Sequence, residues 1–99
     1  MSADRLERAL EVVFERDDER AAARALLASY GEATHEGEHD RVRFAMLSLC
    51  SGSLEELAAC VRLGKTDYRD VLMNAEYSEL GRKQWLALRA RVGDDGEHR

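Results

Sequence analysis

No run of apolar residues in this chain approaches the roughly 20 residues that a membrane-spanning helix requires. The first ten residues, MSADRLERAL, carry charges where a secretory signal peptide would carry an apolar segment. The sequence also has no glycine-rich phosphate-binding loop, no G-x-S-x-G turn and no Ser-His-Asp arrangement. These absences disfavour a membrane span, export and several common kinds of catalytic site, so the cytoplasm is the expected location.

Cysteine is scarce, and the two thiols, Cys50 and Cys60, do not form a redox or metal motif. They lack C-x-x-C spacing, and no histidine lies near either of them in sequence to activate a thiolate. Thiols of a cytosolic protein are usually reduced, and unreactive ones are usually buried as small apolar side chains. We therefore expect both cysteines to be free core residues, with a disulfide between them as the less favoured alternative.

Basic residues are outnumbered, because 15 Lys and Arg oppose 20 Asp and Glu and give a net charge of −5. Binding to nucleic acid requires clustered cations, whereas the arginines of the first 24 residues alternate with Asp and Glu. One small basic cluster lies in the last predicted helix and comprises Arg82, Lys83, Arg89 and Arg91. Nucleic-acid binding is therefore a minor hypothesis, and it requires these four side chains to share one surface.

Apolar residues recur with helical spacing, and the most apolar segment is VRFAMLSLC at 42–50. This segment is apolar on nearly all sides, which is typical of a helix in the middle of a fold. Ser53 and Glu56 match a capping box at the start of the next helix. Gly64 predicts the end of that helix, and Asp67 or the residue before it predicts the start of another.

Two further helices are predicted before this core, at about 3–16 and 18–30, and one after it, from about Ser78 to Val92. Residues 93–99 contain no apolar side chain and are predicted to be a disordered tail. The sequence thus predicts an all-α fold with a single helical domain at 1–92. It should be an irregular bundle of about five to six short helices with the third helix at its centre.

The tract KTDYRDVL at 65–72, followed by AEY at 75–77, resembles a stretch of small uncharacterised bacterial helical proteins. The resemblance extends back through Arg41-Val42 and the GSLE turn at 52–55 and covers about two thirds of the chain. It implies a bacterial cytosolic protein and carries no activity, ligand or catalytic residue. The similar proteins have a proline after the Glu-Tyr pair, whereas this chain has Ser78 there and no proline anywhere. The last helix is therefore the part that the resemblance supports least.

One segment, HEGEH at 35–39, spells the H-E-x-x-H motif of zinc peptidases. In those enzymes the two histidines, here His35 and His39, share one helix face and bind Zn²⁺, while the intervening Glu36 acts as general base. Gly37 disfavours such a helix by about 1 kcal/mol relative to Ala. A third ligand, for which only Glu55 or Glu56 is suitably spaced, would also be needed. The favoured interpretation is a solvated loop, and the alternative is a metal-binding protein or small metallohydrolase.

A polar and aromatic group of residues in the last third of the chain is the candidate interaction surface. It consists of Tyr68, Arg69, Asp70, Tyr77 and Trp85. Aromatic side chains dominate protein interfaces, but the favoured competing interpretation places Tyr68, Tyr77 and Trp85 in the core and leaves the charges solvated. The interaction hypothesis requires an exposed apolar patch that contains Trp85 or Tyr77.

The favoured function is a small non-catalytic cytosolic protein-interaction or regulatory module, for which a homodimer is one possible form. The sequence indicates no cofactor, no metal and no small-molecule ligand. This interpretation rests more on the chemistry that the sequence lacks than on a positive signature.

Overall fold

Five α-helices form within residues 3–32, 34 and 37–93, the part of the chain that the computed structural model describes. They are α1 (Ala3–Val13), α2 (Asp17–Ala28), α3 (His39–Leu49), α4 (Leu54–Glu76) and α5 (Glu79–Val92). These described residues include no strand, so the predicted all-α class is confirmed. None of these helices is long and apolar enough to cross a membrane. The predicted tail at 93–99 lies, apart from Gly93, outside the described residues.

The central position predicted for the third helix is confirmed. α3 packs against α1, α4 and α5, and it buries side chains on nearly all of its sides. Its buried residues are Val42, Phe44, Ala45, Met46, Leu47 and Ser48. A helix that is apolar around most of its circumference is stable only when neighbours cover it, and this requirement places the other helices around α3.

α4 continues through Gly64, so the predicted helix end at that residue is wrong. Gly64 is buried, and a Cβ at this position would meet the Met46 side chain and lie 3.5 Å from Cε1 of Tyr30. The missing side chain therefore serves close packing between helices. The break comes instead at Asp67, whose backbone is extended (φ −156°, ψ 99°).

Asp67 divides α4 into two halves and caps the second half, as the sequence predicted. Its Oδ1 accepts a hydrogen bond of 3.1 Å from the backbone N–H of Arg69. This bond satisfies one of the free N–H groups at a helix start. The same carboxylate accepts a second bond from the Arg69 side chain, and these bonds lower the pKa of Asp67.

Serine caps begin two helices at the predicted places. Ser53 Oγ accepts from the N–H of Glu56 at 3.2 Å, and Ser78 Oγ accepts from the N–H of Gly81 at 3.1 Å.

The C-terminal end of α2 is capped by side chains from other helices, because its own last turn has no basic residue. Arg43 of α3 donates to the carbonyl oxygens of Leu27 (2.9 Å) and Tyr30 (2.6 Å). Lys65 of α4 donates to the carbonyl oxygen of Ser29 at 2.8 Å. Positive charge at a helix C-terminus also interacts favourably with the negative end of the helix dipole. These contacts tie α2 to the two central helices.

α1 ends at Val13, three residues earlier than predicted. The Arg20 side chain donates to the carbonyl oxygens of Phe14 (3.3 Å) and Glu15 (3.0 Å). A side chain from α2 therefore satisfies two carbonyl oxygens of the turn that follows α1.

Candidate interaction surface

Large apolar side chains are exposed on α4, on α5 and at the first of the two residues that join them, and nowhere else in the described part of the chain. They are Leu63, Met73, Tyr77, Leu80 and Leu86. Three of them lie where α4 ends and α5 begins, and they are the most exposed: Tyr77 at 72%, Leu80 at 71% and Met73 at 59%. We call these three residues the α4–α5 corner. Single exposed apolar residues are ordinary on a protein surface, but a local group of them indicates a contact surface.

The corner is held in shape by a tight connection between the two helices. A Cβ on Gly81 would collide with the carbonyl oxygen of Asn74 and lie 2.6 Å from Ser78 Oγ, so only glycine fits here. Ser78 also donates its hydroxyl to the Asn74 carbonyl while it caps α5. Tyr77 and Leu80 are therefore presented by a short connection whose backbone is well bonded.

A groove of about 280 Å³ adjoins the corner, and Leu80 forms part of its wall. We call it the corner groove; its lining residues are Leu49, Cys60, Leu63, Val71, Asn74, Ser78, Leu80, Gly81 and Gln84. The lining is mostly apolar and comes from α3, both halves of α4, and α5 with its capping residue. Such a groove can accept an apolar side chain from another molecule.

The corner groove also contains one of the two thiols. Cys60 is half-buried there, whereas Cys50 is fully buried, and both are free. Burial raises the pKa of Cys60 to about 11, with a smaller contribution from the neighbouring Cys50. Burial likewise raises the pKa of Cys50. Both thiols are therefore protonated at neutral pH, which makes Cys60 a poor nucleophile and a slow target for alkylation.

Three of the five predicted interaction residues lie near the corner, in the second half of α4 or directly after it. Arg69, Asp70 and Tyr77 are exposed, and their spacing places them on one side of the chain with Met73. The exposure of Tyr77 is what the interaction hypothesis requires, and the favoured expectation that Tyr77 is a core residue is wrong.

Tyr68 instead packs against the core and against the segment that leads into α3. Its Cζ lies 3.5 Å from the position that a Cβ on Gly37 would occupy, and the Tyr30 hydroxyl donates to the Gly37 carbonyl at 2.6 Å. Both tyrosines therefore contact the segment at Gly37. This placement gives Tyr68 a structural role.

Trp85 also packs against the core and is half-buried. The guanidinium of Arg89 lies over its ring, 4.8 Å from the centroid, in a cation–π arrangement. The structure therefore brings Arg69, Asp70 and Tyr77 together at the surface and places Tyr68 and Trp85 against the core.

The four cations of the last helix have different surroundings. Arg82 donates to the carbonyl oxygen of Glu76 at 2.9 Å, and Arg89 lies over Trp85. Arg91 lines a separate depression between α1 and α5. Arg82, Lys83 and Arg91 are exposed and Arg89 is half-buried. Binding of nucleic acid by these cations stays a minor hypothesis.

The metal hypothesis concerns a segment that is described only in part. His35 and Glu36 lie outside the described residues. Gly37 and Glu38 precede α3, which begins at His39, and Glu38 has a left-handed backbone (φ 52°). The continuous helix that would align two histidines therefore does not extend across Gly37. No group of three metal-ligating side chains occurs among the described residues, and metal binding by His35 and His39 stays a prediction.

Sequence reasoning missed Leu80 and Met73, the two aliphatic members of the corner. A signal for Leu80 is available in the spacing, because it lies five residues before Trp85 and so falls outside the stripe of Trp85, Leu88 and Val92. An apolar residue outside the buried stripe of an amphipathic helix is a candidate contact residue.

Comparisons with protein families, with curated proteins and with solved structures found no match for this chain.

Proposed function

We propose that this chain is a small non-catalytic cytosolic module that binds a protein partner through the α4–α5 corner. The observation that carries the proposal is the exposure of Met73, Tyr77 and Leu80 at one corner of the fold. Burying their apolar surface would contribute about 25 cal/mol for each Å² removed from water. A partner that covers the corner therefore gains a hydrophobic centre for its interface.

The surroundings of the corner also suit an interface. Tyr77 combines a large apolar ring with a hydroxyl group, a combination that is enriched among the residues that dominate binding energy. Arg69 and Asp70 provide exposed charges beside it, as in the polar rim that surrounds the apolar centre of a typical interface. A module of this kind acts by covering a surface of its partner, and it would regulate the partner through that binding.

The test compares two matched surface variants. Leu80→Asp places a charge in the corner, whereas Leu86→Asp places the same charge on another side of α5, where Leu86 is also exposed. Immobilised wild-type protein and both variants are incubated with lysate of the source organism, and bound proteins are quantified by mass spectrometry. We expect the specifically bound proteins to be lost with Leu80→Asp and retained with Leu86→Asp. Equal binding by all three proteins would contradict the proposal.

A further inference from the structure

The α4–α5 corner and the corner groove lie side by side, and together they form a surface with a protruding part and a receiving part. Leu80 belongs to both, because it is 71% exposed and also lines the groove. In a two-fold symmetric dimer the same surface of each copy contacts that surface of the other copy. A protrusion on one copy therefore needs a matching depression on the other, and each copy must carry both. In this fold the protruding Leu80 and the corner groove are next to each other.

We infer that the corner binds a second copy of this chain, with Leu80 of each copy seated in the corner groove of the other. This inference rests on the proposed function and names its partner. The groove volume of about 280 Å³ is large enough for a leucine side chain, and its apolar lining would replace the water that covers Leu80 in the monomer.

The charge distribution favours a second copy on this side of the molecule. Two copies of a chain with a net charge of −5 repel each other, and the repulsion is weakest where the acidic excess is absent. Residues 67–92 carry five Lys and Arg against four Asp and Glu, whereas residues 3–32 carry five against eight. The second half of α4 and the whole of α5 therefore form the part of the surface that two copies can best bring together.

The residues next to the corner also carry both signs of charge. Asp70 and Glu79 are exposed, and so are Arg82 and Lys83. In a two-fold pairing an acidic side chain of one copy can face a basic side chain of the other, and the reverse contact follows by symmetry. Electrostatic complementarity of this kind fixes the register of an interface more than it adds affinity.

Cys60 provides an internal reporter, because it lies in the groove that Leu80 of the second copy would fill. Pairing should shield its thiol from an alkylating reagent, whereas Cys50 is buried at any protein concentration. The rate of N-ethylmaleimide labelling at Cys60 should therefore fall as protein concentration rises. Digestion with an enzyme that cleaves after glutamate separates the two cysteines, because Glu55 and Glu56 lie between them.

The experiment combines sedimentation velocity from about 1 µM to about 1 mM with this labelling assay, under reducing conditions during purification. For the wild type we expect a reversible monomer–dimer equilibrium and protection of Cys60 at high concentration. Leu80→Asp should weaken the dimer at least about thirtyfold and abolish the concentration dependence of labelling. Leu86→Asp should leave both unchanged.

The outcomes separate the dimer from the proposed function. A wild type that stays monomeric, with labelling independent of concentration, overturns the dimer; binding of other proteins that Leu80→Asp abolishes would then still support the interaction module. A dimer that persists in Leu80→Asp shows that another surface is used and also overturns the inference. A monomer whose binding to lysate proteins is unaffected by Leu80→Asp removes both proposals.

Discussion

Arg41, in the first turn of α3, and Glu76, the last residue of α4, are joined by two parallel hydrogen bonds. Nε of Arg41 donates to Oε2 of Glu76 at 2.8 Å, and Nη2 donates to Oε1 at 2.6 Å. The carboxylate raises the pKa of the Arg41 guanidinium above its usual value. The backbone carbonyl of Glu76 accepts a further bond from Arg82 of α5, so this residue connects three helices immediately before the α4–α5 corner.

Replacing Arg41 with alanine should destabilise the fold by about 2 kcal/mol. The Glu76 side chain is only 11% exposed, compared with 47% for Arg41, so the variant would leave a mostly buried carboxylate without its two donors. Urea-induced unfolding, followed by circular dichroism, measures the loss. Arg69→Ala is the matched control, because it removes an ion pair to Asp67 that is solvent-exposed. We expect a much smaller effect there, and equal losses in the two variants would contradict the assigned role of Arg41.

Two glycine-to-alanine substitutions should differ in their effect. At Gly81 a methyl group would collide with the Asn74 backbone, which cannot move without displacing α5, and we expect a loss of about 2–3 kcal/mol. At Gly64 the colliding atom is the end of the flexible Met46 side chain, and alanine gains about 1 kcal/mol of helix propensity. Gly64→Ala should therefore be close to neutral. Thermal melts of both variants check this order, and a reversed order would show that the two contacts have been misassigned.

These glycines illustrate how far the sequence alone predicted the fold. Periodicity and capping residues predicted the helical class, the central third helix and the caps at Ser53, Asp67 and Ser78, because those signals are local. Gly64 was interpreted as a helix end, because the residues that pack against it, Met46 and Tyr30, are distant in the chain. Local patterns do not contain such contacts.

The candidate surface was predictable to a similar extent. Tyr77 was named as a candidate because an aromatic residue beside charges is a recognisable pattern, but a core position was favoured for it, and its exposure corrects that expectation. Whether Tyr68 and Trp85 face solvent depends on the neighbours that pack over them. In the fold Gly37 lies against Tyr68, and the Arg89 guanidinium lies over Trp85. Leu80 was not named as a contact residue, although its position outside the stripe of Trp85, Leu88 and Val92 is visible in the sequence.

Arg43→Ala should destabilise the fold by about 2 kcal/mol, because the carbonyl oxygens of Leu27 and Tyr30 would lose a charged donor. The Arg43 side chain is mostly buried, so water would replace these bonds poorly. Arg43→Lys should recover part of the loss, since an ammonium group can reach one carbonyl but lacks the planar fork of a guanidinium. Denaturant unfolding of the three proteins checks the order. A lysine variant as unstable as the alanine variant would show that packing, and not the capping bonds, explains the effect.

Titration of Cys60 should weaken the fold at alkaline pH. Its pKa is about 11 in the folded protein against an ordinary value of 9.0, so between these values the unfolded chain releases a proton that the folded chain keeps. The stabilising contribution is therefore complete below pH 9 and disappears as the pH rises towards 11. Because the thiol is partly exposed, the slope should stay well below the roughly 1.4 kcal/mol per pH unit of one full proton.

Tyrosines and lysines titrate in the same range, so the decisive quantity is the difference between the wild type and Cys60→Ser, which has nearly the same shape and no thiol. Unfolding free energies measured in urea, with a reductant, at several pH values from 7 to 10.5 should give parallel curves up to about pH 9. Above that pH the wild type should lose stability faster than the serine variant, because only the wild-type chain has this proton to release on unfolding. Parallel curves over the whole range would mean that the Cys60 thiol ionises as readily in the folded protein as in water, and that the corner groove is more open to solvent than its apolar lining implies.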